Sequence, residues 1–129
     1  MRTNADEYRG WFKKAVEDEQ SIQAILDAGG ASSTACFLSQ QMAEKYLKGL
    51  LSKHREAIQK VHDLLQLETL LLEHVPTIND IHEDLVVLNR YYIETRYPGD
   101  YPEFTRSESE EAFAAAKRVK DSVQKLLPA

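Results

Sequence analysis

The chain has 129 residues, of which 43% are hydrophobic and 29% charged, and its formal net charge is -5. This composition excludes a disordered chain and fits one globular domain over 1–129. The negative charge argues against a general nucleic-acid coat protein, because nonspecific phosphate binding needs a basic surface. Cys36 is the only cysteine, so an internal disulfide is excluded, and its place beside Phe37 predicts a small buried hydrophobe.

The start of the chain, MRTNADEYRGWFKK, is polar where a signal peptide would be apolar. No window approaches the roughly 20 apolar residues that a membrane span requires. We therefore expect a soluble protein of the reducing cytoplasm that does not act in a membrane.

The first element in the chain is a predicted helix from about Asn4 to Ala28. Its apolar residues recur with helical spacing: Tyr8, Trp11, Phe12, Ala15, Ile22, Ile25 and Leu26. Gly29 and Gly30 follow, and glycine commonly supplies the left-handed residue that ends a helix. A hydroxyl residue is then expected to cap the second helix, namely Ser32, Ser33 or Thr34.

The second helix contains FLSQQMAEKYLKGLL, from Phe37 to Leu51, and we expect the rest of the chain to be organised around it. Its apolar stripe is wide enough to require burial: Ala35, Leu38, Met42, Ala43, Tyr46, Leu47, Leu50 and Leu51. Gly49 lies inside this helix at a cost of about 1 kcal/mol relative to alanine. A close contact with another helix or subunit would explain it.

The later segments are also helical in pattern. A short third helix is predicted in HDLLQLETLLLEHV, with Asp63 at its start, and a fourth runs from Ile78 towards Tyr92. A loop, RYPGDYPEFT, precedes a final helix over Glu108–Leu127 that begins near Thr105 or Ser107. No segment alternates like a strand. The predicted fold is all-α, an up-and-down antiparallel bundle of four long helices and one short helix.

A cationic group on the second helix is the first candidate site. Gln41, Lys45 and Lys48 stand at i, i+4 and i+7, so they project from one flank of the helix. Together with Arg96 and Tyr97 from the proline-containing loop, they would bind a nucleotide phosphate and stack on a base. The competing interpretations are a solvated helix face and an Arg96 that pairs with a carboxylate such as Glu44.

Five strings, in this order, resemble the HEPN domain family: WFKKAVEDEQ, FLSQQMAEKYLKGLL, HDLLQL, RYPGDYPE and EEAFAAAKRV. The resemblance covers nearly the whole chain. It implies an up-and-down helical bundle, a homodimer and nucleotide binding. It also implies an operon partner that is a minimal nucleotidyltransferase, with the two proteins forming a toxin–antitoxin pair.

Some HEPN proteins are metal-independent ribonucleases that carry an arginine, four to six residues and then a histidine on the late helices. Here Arg90 and Arg96 have no histidine at that distance, whereas Arg55 and His62 fit the count but lie between the second and third helices. The resemblance therefore favours a binding module without catalysis. Two alternatives stay open: a ribonuclease toxin that brings Arg96 and His62 together, and a scaffold with no ligand.

The four histidines do not form a metal motif. Only His74 and His82 are near each other, eight positions apart across Pro76, and compact ligand spacing and thiolates are missing. We therefore expect no metal and no cofactor beyond a nucleotide ligand. His62 is more simply explained by a structural hydrogen bond than by a general base.

Overall fold

The computed structural model describes residues 4–54, 60–92 and 103–127, with side chains from residue 7 onward. These ranges contain five α-helices: α1 Asn4–Ala28, α2 Ser32–Lys53, α3 Leu64–Leu72, α4 His82–Asn89 and α5 Arg106–Lys125. A 3-10 helix, Pro76–Ile81, lies between α3 and α4. No strand occurs in the ranges given above. The predicted all-α class is confirmed.

Helix α2 is the centre of the bundle. It packs against each of the other four α-helices of the described ranges, most extensively against α1 and α5. Its apolar stripe is buried, from Ala35 through Met42 and Tyr46 to Leu50. Because every other α-helix of these ranges contacts it, α2 is the element that joins them.

The loop between α1 and α2 differs in part from the expectation. Gly29 adopts a positive φ of 69°, and the Gly30 N–H donates to the Ile25 carbonyl at 2.8 Å, which confirms the predicted helix end. However, Ala31 occupies the N-cap position of α2 and makes no side-chain cap bond. The prediction of a hydroxyl cap was therefore wrong. The Ser33 hydroxyl instead accepts from the Phe104 N–H at 2.8 Å, which ties α2 to the segment before α5.

The predicted fourth helix is divided in two. Pro76 begins a 3-10 helix in which Ile78 and Ile81 are both buried, and regular α-helix starts only at His82. Side chains three positions apart lie directly above one another in a 3-10 helix, so this spacing buries both isoleucines. Helix α4 consequently has only 8 residues, shorter than the sequence predicted.

Two further expectations about the ends and contacts of helices are confirmed. Thr105 forms a capping box with Glu108 at the start of α5, because its hydroxyl accepts from the Glu108 N–H at 3.1 Å. Gly49 faces α1, and a Cβ there would overlap the Phe12 ring and lie 3.2 Å from the Trp11 Cβ. Glycine is needed because α1 and α2 approach so closely.

Candidate functional site

The connection before α3 places His62 beside α2. Asp63 is the N-cap of α3, and its carboxylate accepts from the Leu65 N–H at 2.9 Å, as the sequence predicted. Asn89 of α4 joins the same corner, because its Oδ1 accepts from the Leu64 N–H at 2.9 Å and its Nδ2 donates to Asp63 at 3.1 Å. The backbone next to His62 is therefore fixed by two helices.

The His62 side chain is held by a carboxylate of α2. Its Nδ1 lies 3.3 Å and 3.2 Å from the two oxygens of Glu44. Gln40 donates from Nε2 both to Glu44, at 3.2 Å, and to the His62 carbonyl, at 3.2 Å. One turn of α2 thus holds both the ring and the backbone of His62.

Glu44 and Lys48 form a buried ion pair within α2. Nζ of Lys48 lies 3.0 Å from Oε2 of Glu44, and each side chain is only 6% exposed. The Lys48 ammonium also lies 5.5 Å from the centre of the Trp11 ring of α1, within the range of a cation–π contact. Lys48 therefore neutralises a carboxylate that the protein interior would otherwise leave with an uncompensated charge.

His62 also borders an open pocket of about 510 Å³. Its ring stacks on Tyr92, with 4.9 Å between the ring centres and 12° between the planes, and its side chain is 42% exposed. The lining is largely polar: Lys60, Val61, His62, Asp63, Gln66, Asn89 and Tyr92. This pocket brings together a cation, two rings, two amides and the Asp63 carboxylate, which accepts from the Leu65 N–H and from Asn89.

The predicted cationic group on α2 is arranged differently. Lys45 pairs with Asp18 of α1 at 2.6 Å, Lys48 pairs with Glu44, and Gln41 donates to the Gln40 Oε1 at 2.6 Å. Each of the two ammonium groups thus meets a carboxylate of its own. Phosphate binding by these side chains stays a prediction.

The other predicted site residues fall elsewhere. Arg96 and Tyr97 lie outside the described residues, as does Arg55. Arg90 follows α4, lies 3.9 Å from an oxygen of Glu111, and its guanidinium lies 5.7 Å from the centre of the Tyr91 ring. Whether Arg96 pairs with Glu44 is therefore untested.

The remaining histidines enter separate contacts. His54 stacks on His74 with 4.9 Å between ring centres, and burial, followed by the nearby charges of His74 and Lys53, lowers the pKa of His54. His82 bonds to the buried Glu68 at 2.8 Å, and this hydrogen bond, followed by the carboxylate charge, raises the pKa of His82. In the part of the chain that the structure describes, no three metal-ligating side chains are grouped to hold an ion.

Sequence reasoning missed how these residues combine. Gln40, Glu44 and Lys48 are spaced by four on a helix whose other buried positions are mostly apolar. Polar residues at such a spacing, inside the centre of a bundle, need partners. That pattern could have identified a buried network on α2, although nothing in the local sequence would have pointed to His62 as its fourth member.

The fold and the site define the class of protein: a small all-α bundle in which a buried carboxylate of the central helix, Glu44, binds a histidine of the pocket, His62. The family model for the HEPN domain matches residues 8–126. The chain belongs to the HEPN domain family.

Two solved structures are similar over nearly their whole length. The crystal structure of TT1696 from Thermus thermophilus has 36% sequence identity and a TM-score of 0.79, covering 93% of this chain and 98% of that one. The crystal structure of ST0689, described as an archaeal HEPN homologue, has 28% identity and a TM-score of 0.69, covering 97% and 98%. No curated protein matches this chain.

The described helices differ from membrane spans in their composition. None of them combines the length and the apolar character needed to cross a bilayer.

Proposed function

We propose that this HEPN protein is a nucleotide-binding or partner-binding module that acts as a homodimer in a toxin–antitoxin type pair, without catalysis of its own. We put the nucleotide in the pocket beside His62. The observation that carries this proposal is the composition of the pocket, which combines the Lys60 ammonium, the rings of His62 and Tyr92, and the amides of Gln66 and Asn89.

These groups match the parts of a nucleotide. A lysine ammonium attracts phosphate as a point charge, and amides and imidazole hydrogen-bond to ribose or base. A volume of about 510 Å³ is within the usual range for a small-molecule site. Arg96 and Tyr97, which the sequence predicts to bind phosphate and to stack on a base, follow Tyr92 within five positions in the chain.

Titration calorimetry with ATP, ADP and AMP tests the nucleotide site. We expect binding in the micromolar to millimolar range that weakens about tenfold on Lys60→Ala or His62→Ala, as expected for the loss of one charged contact. Lys13→Ala is the control, because Lys13 is an exposed lysine of α1 that does not line the pocket. No heat at millimolar nucleotide, or equal weakening by the control, contradicts the site.

The predicted phosphate contacts on α2 are tested in the same experiment. If Lys45 binds phosphate, Lys45→Ala weakens ATP binding as much as Lys60→Ala does. Because Lys45 pairs with Asp18 at 2.6 Å, we expect the smaller effect for Lys45.

The dimer and the pairing with a nucleotidyltransferase rest on membership of the HEPN family. Light scattering on the purified protein tests the dimer, and a monomer at high micromolar concentration contradicts it. Co-expression with the product of a neighbouring nucleotidyltransferase gene tests the pair. If this chain alone stops growth and the nucleotidyltransferase restores it, the toxin–antitoxin role is supported. A stable complex between the two proteins also supports it.

The contact between His62 Nδ1 and Glu44 favours one rival, a metal-independent ribonuclease. A histidine held at Nδ1 by a carboxylate can use Nε2 as a general base towards a ribose 2'-hydroxyl. RNA cleavage in the presence of a chelator, lost on both His62→Ala and Arg96→Ala, would establish this rival. Absence of cleavage, together with nucleotide binding, supports the binding module.

A further inference from the structure

We infer that Glu44 is a positioning residue for the nucleotide site. When the His62 ring is neutral, Glu44 keeps its hydrogen on Nδ1. Nε2 is then the hydrogen-bond acceptor that a bound nucleotide meets. The ligand group at this nitrogen is a donor, such as a ribose hydroxyl or a base amino group, and not a phosphate oxygen. This inference rests on the proposed nucleotide site.

The first support is the direction of the hydrogen bond. A carboxylate oxygen only accepts, so the Nδ1 that lies 3.2 Å from Oε2 of Glu44 must carry the proton. In a neutral imidazole the other nitrogen is then an acceptor. Glu44 thus decides which kind of group can bind at Nε2.

The second support is the rigidity of the arrangement. The carboxylate fixes the edge of the His62 ring, Tyr92 stacks on its face at 4.9 Å between ring centres, and Gln40 binds the His62 carbonyl at 3.2 Å. Two contacts therefore restrain the His62 side chain, which is still 42% exposed, and a third restrains its backbone. A side chain held so firmly loses little further entropy when it binds a ligand.

The third support is the presence of the ion pair itself. Glu44 and Lys48 are each 6% exposed, and a buried ion pair of this kind seldom adds stability over an apolar pair of similar volume. The carboxylate is instead explained by its contact with His62, and Lys48 by the need to balance the carboxylate charge. Lys120 of α5 and Glu19 of α1 form a comparison ion pair, at 2.9 Å, that does not line the pocket.

The test uses two matched double variants of the full chain. E44M/K48M removes the pair that holds His62, and E19M/K120M removes the comparison pair. Long-range nitrogen–proton NMR spectra at mildly alkaline pH report which nitrogen of a neutral imidazole carries hydrogen. His62→Gln identifies the His62 signals, and unfolding curves confirm that each variant is folded.

We expect His62 to have hydrogen on Nδ1 in the wild type and in E19M/K120M, and mainly on Nε2 in E44M/K48M. ATP binding should weaken about tenfold in E44M/K48M only, as expected for the loss of one hydrogen bond. Tripolyphosphate, which offers no donor to Nε2, should bind both variants like the wild type.

Hydrogen on Nε2 in the wild type, or no change of tautomer in E44M/K48M, overturns the inference. Equal weakening of ATP binding by both double variants overturns it as well, because the effect would then follow from the loss of any ion pair of the bundle. The proposed function fails separately: if ATP does not bind the wild type while the tautomers behave as expected, Glu44 positions His62 but the pocket is not a nucleotide site.

Discussion

Nζ of Lys48 and Oε2 of Glu44 lie 3.0 Å apart in the centre of the bundle, one helical turn from each other on α2. The pair is closed on its other sides by Gln40, His62 and the Trp11 ring. Glu44 of this buried pair holds His62, which lines the pocket. Substitutions of the pair, beneath the protein surface, should therefore alter the pocket. Function and stability are therefore separable here by choosing single or double substitutions.

Lys48→Met alone should destabilise the protein by about 3 kcal/mol, because it leaves the Glu44 charge buried with less compensation. E44M/K48M should differ from the wild type by less than about 1 kcal/mol, since it removes both charges and keeps the volume. Urea unfolding followed by circular dichroism measures both. A single variant as stable as the double variant would contradict the assignment of Lys48 as the balancing charge.

Gly49→Ala should lower the free energy of unfolding by about 1–2 kcal/mol, because the overlap with the Phe12 ring and the Trp11 Cβ outweighs the gain of about 1 kcal/mol in helix propensity. Gly10→Ala in α1 is the matched control, since a Cβ there meets nothing within 4 Å. We expect the control to stabilise the protein by about 0.5–1 kcal/mol. A stabilising Gly49→Ala would mean that α1 and α2 can separate at little cost.

The contact between His82 and Glu68 should stabilise the protein at acid pH. Folding raises the pKa of His82 above its ordinary value of 6.5, so the contribution is complete below 6.5 and is lost as the pH rises through the raised pKa. We expect His82→Gln to cost more stability at about pH 5.5 than at about pH 8.5. Thermal melts at both values measure the difference.

His54→Gln is the opposite-sign control for that experiment. Folding lowers the pKa of His54, so its contribution is complete above 6.5 and is lost as the pH falls. The cost of this substitution should therefore be larger at the alkaline pH. If the stability cost of both substitutions changed with pH in the same direction, the pH dependence would come from the whole molecule and not from these contacts.

Cys36 should be inert in the folded protein. It is fully buried, and burial, followed by the charge of Glu108, raises the pKa of its thiol to about 11. Ellman's reagent at neutral pH should react with it only after unfolding in guanidinium, since the thiolate is the reactive form. Rapid reaction of one equivalent in the native state would show that α2 opens locally at that end.

Much of the fold could be predicted from the sequence because its periodicity is a local property. The stripe from Ala35 to Leu51 predicted the central helix, Gly29 predicted the end of α1, and Cys36 was expected in the core. Local preference failed at Ala31, since Ser32, Ser33 or Thr34 was expected to cap α2, and the Ser33 hydroxyl instead accepts from the Phe104 N–H at 2.8 Å. A partner 71 residues away cannot be read from capping preference.

The candidate site was less predictable for the same reason. Lys45 and Lys48 were correctly placed on one helix, yet their partners Asp18 and Glu44 could only be chosen by packing. His62 and Glu44 are 18 residues apart in the sequence, and their contact depends on where α3 begins. Asp63 was predicted as a local cap and His62 as a histidine with a structural hydrogen bond, whereas the distant partner of His62, Glu44, was not predicted.

The sequence by itself determined the helices and most of their ends, since apolar spacing and caps act within a few residues, and its motifs resemble those of the HEPN family. Only the tertiary structure decided which charges are neutralised and which histidine is held at a pocket. Ion pairs and hydrogen bonds between distant residues form where packing brings them together, and that geometry belongs to the bundle as a whole.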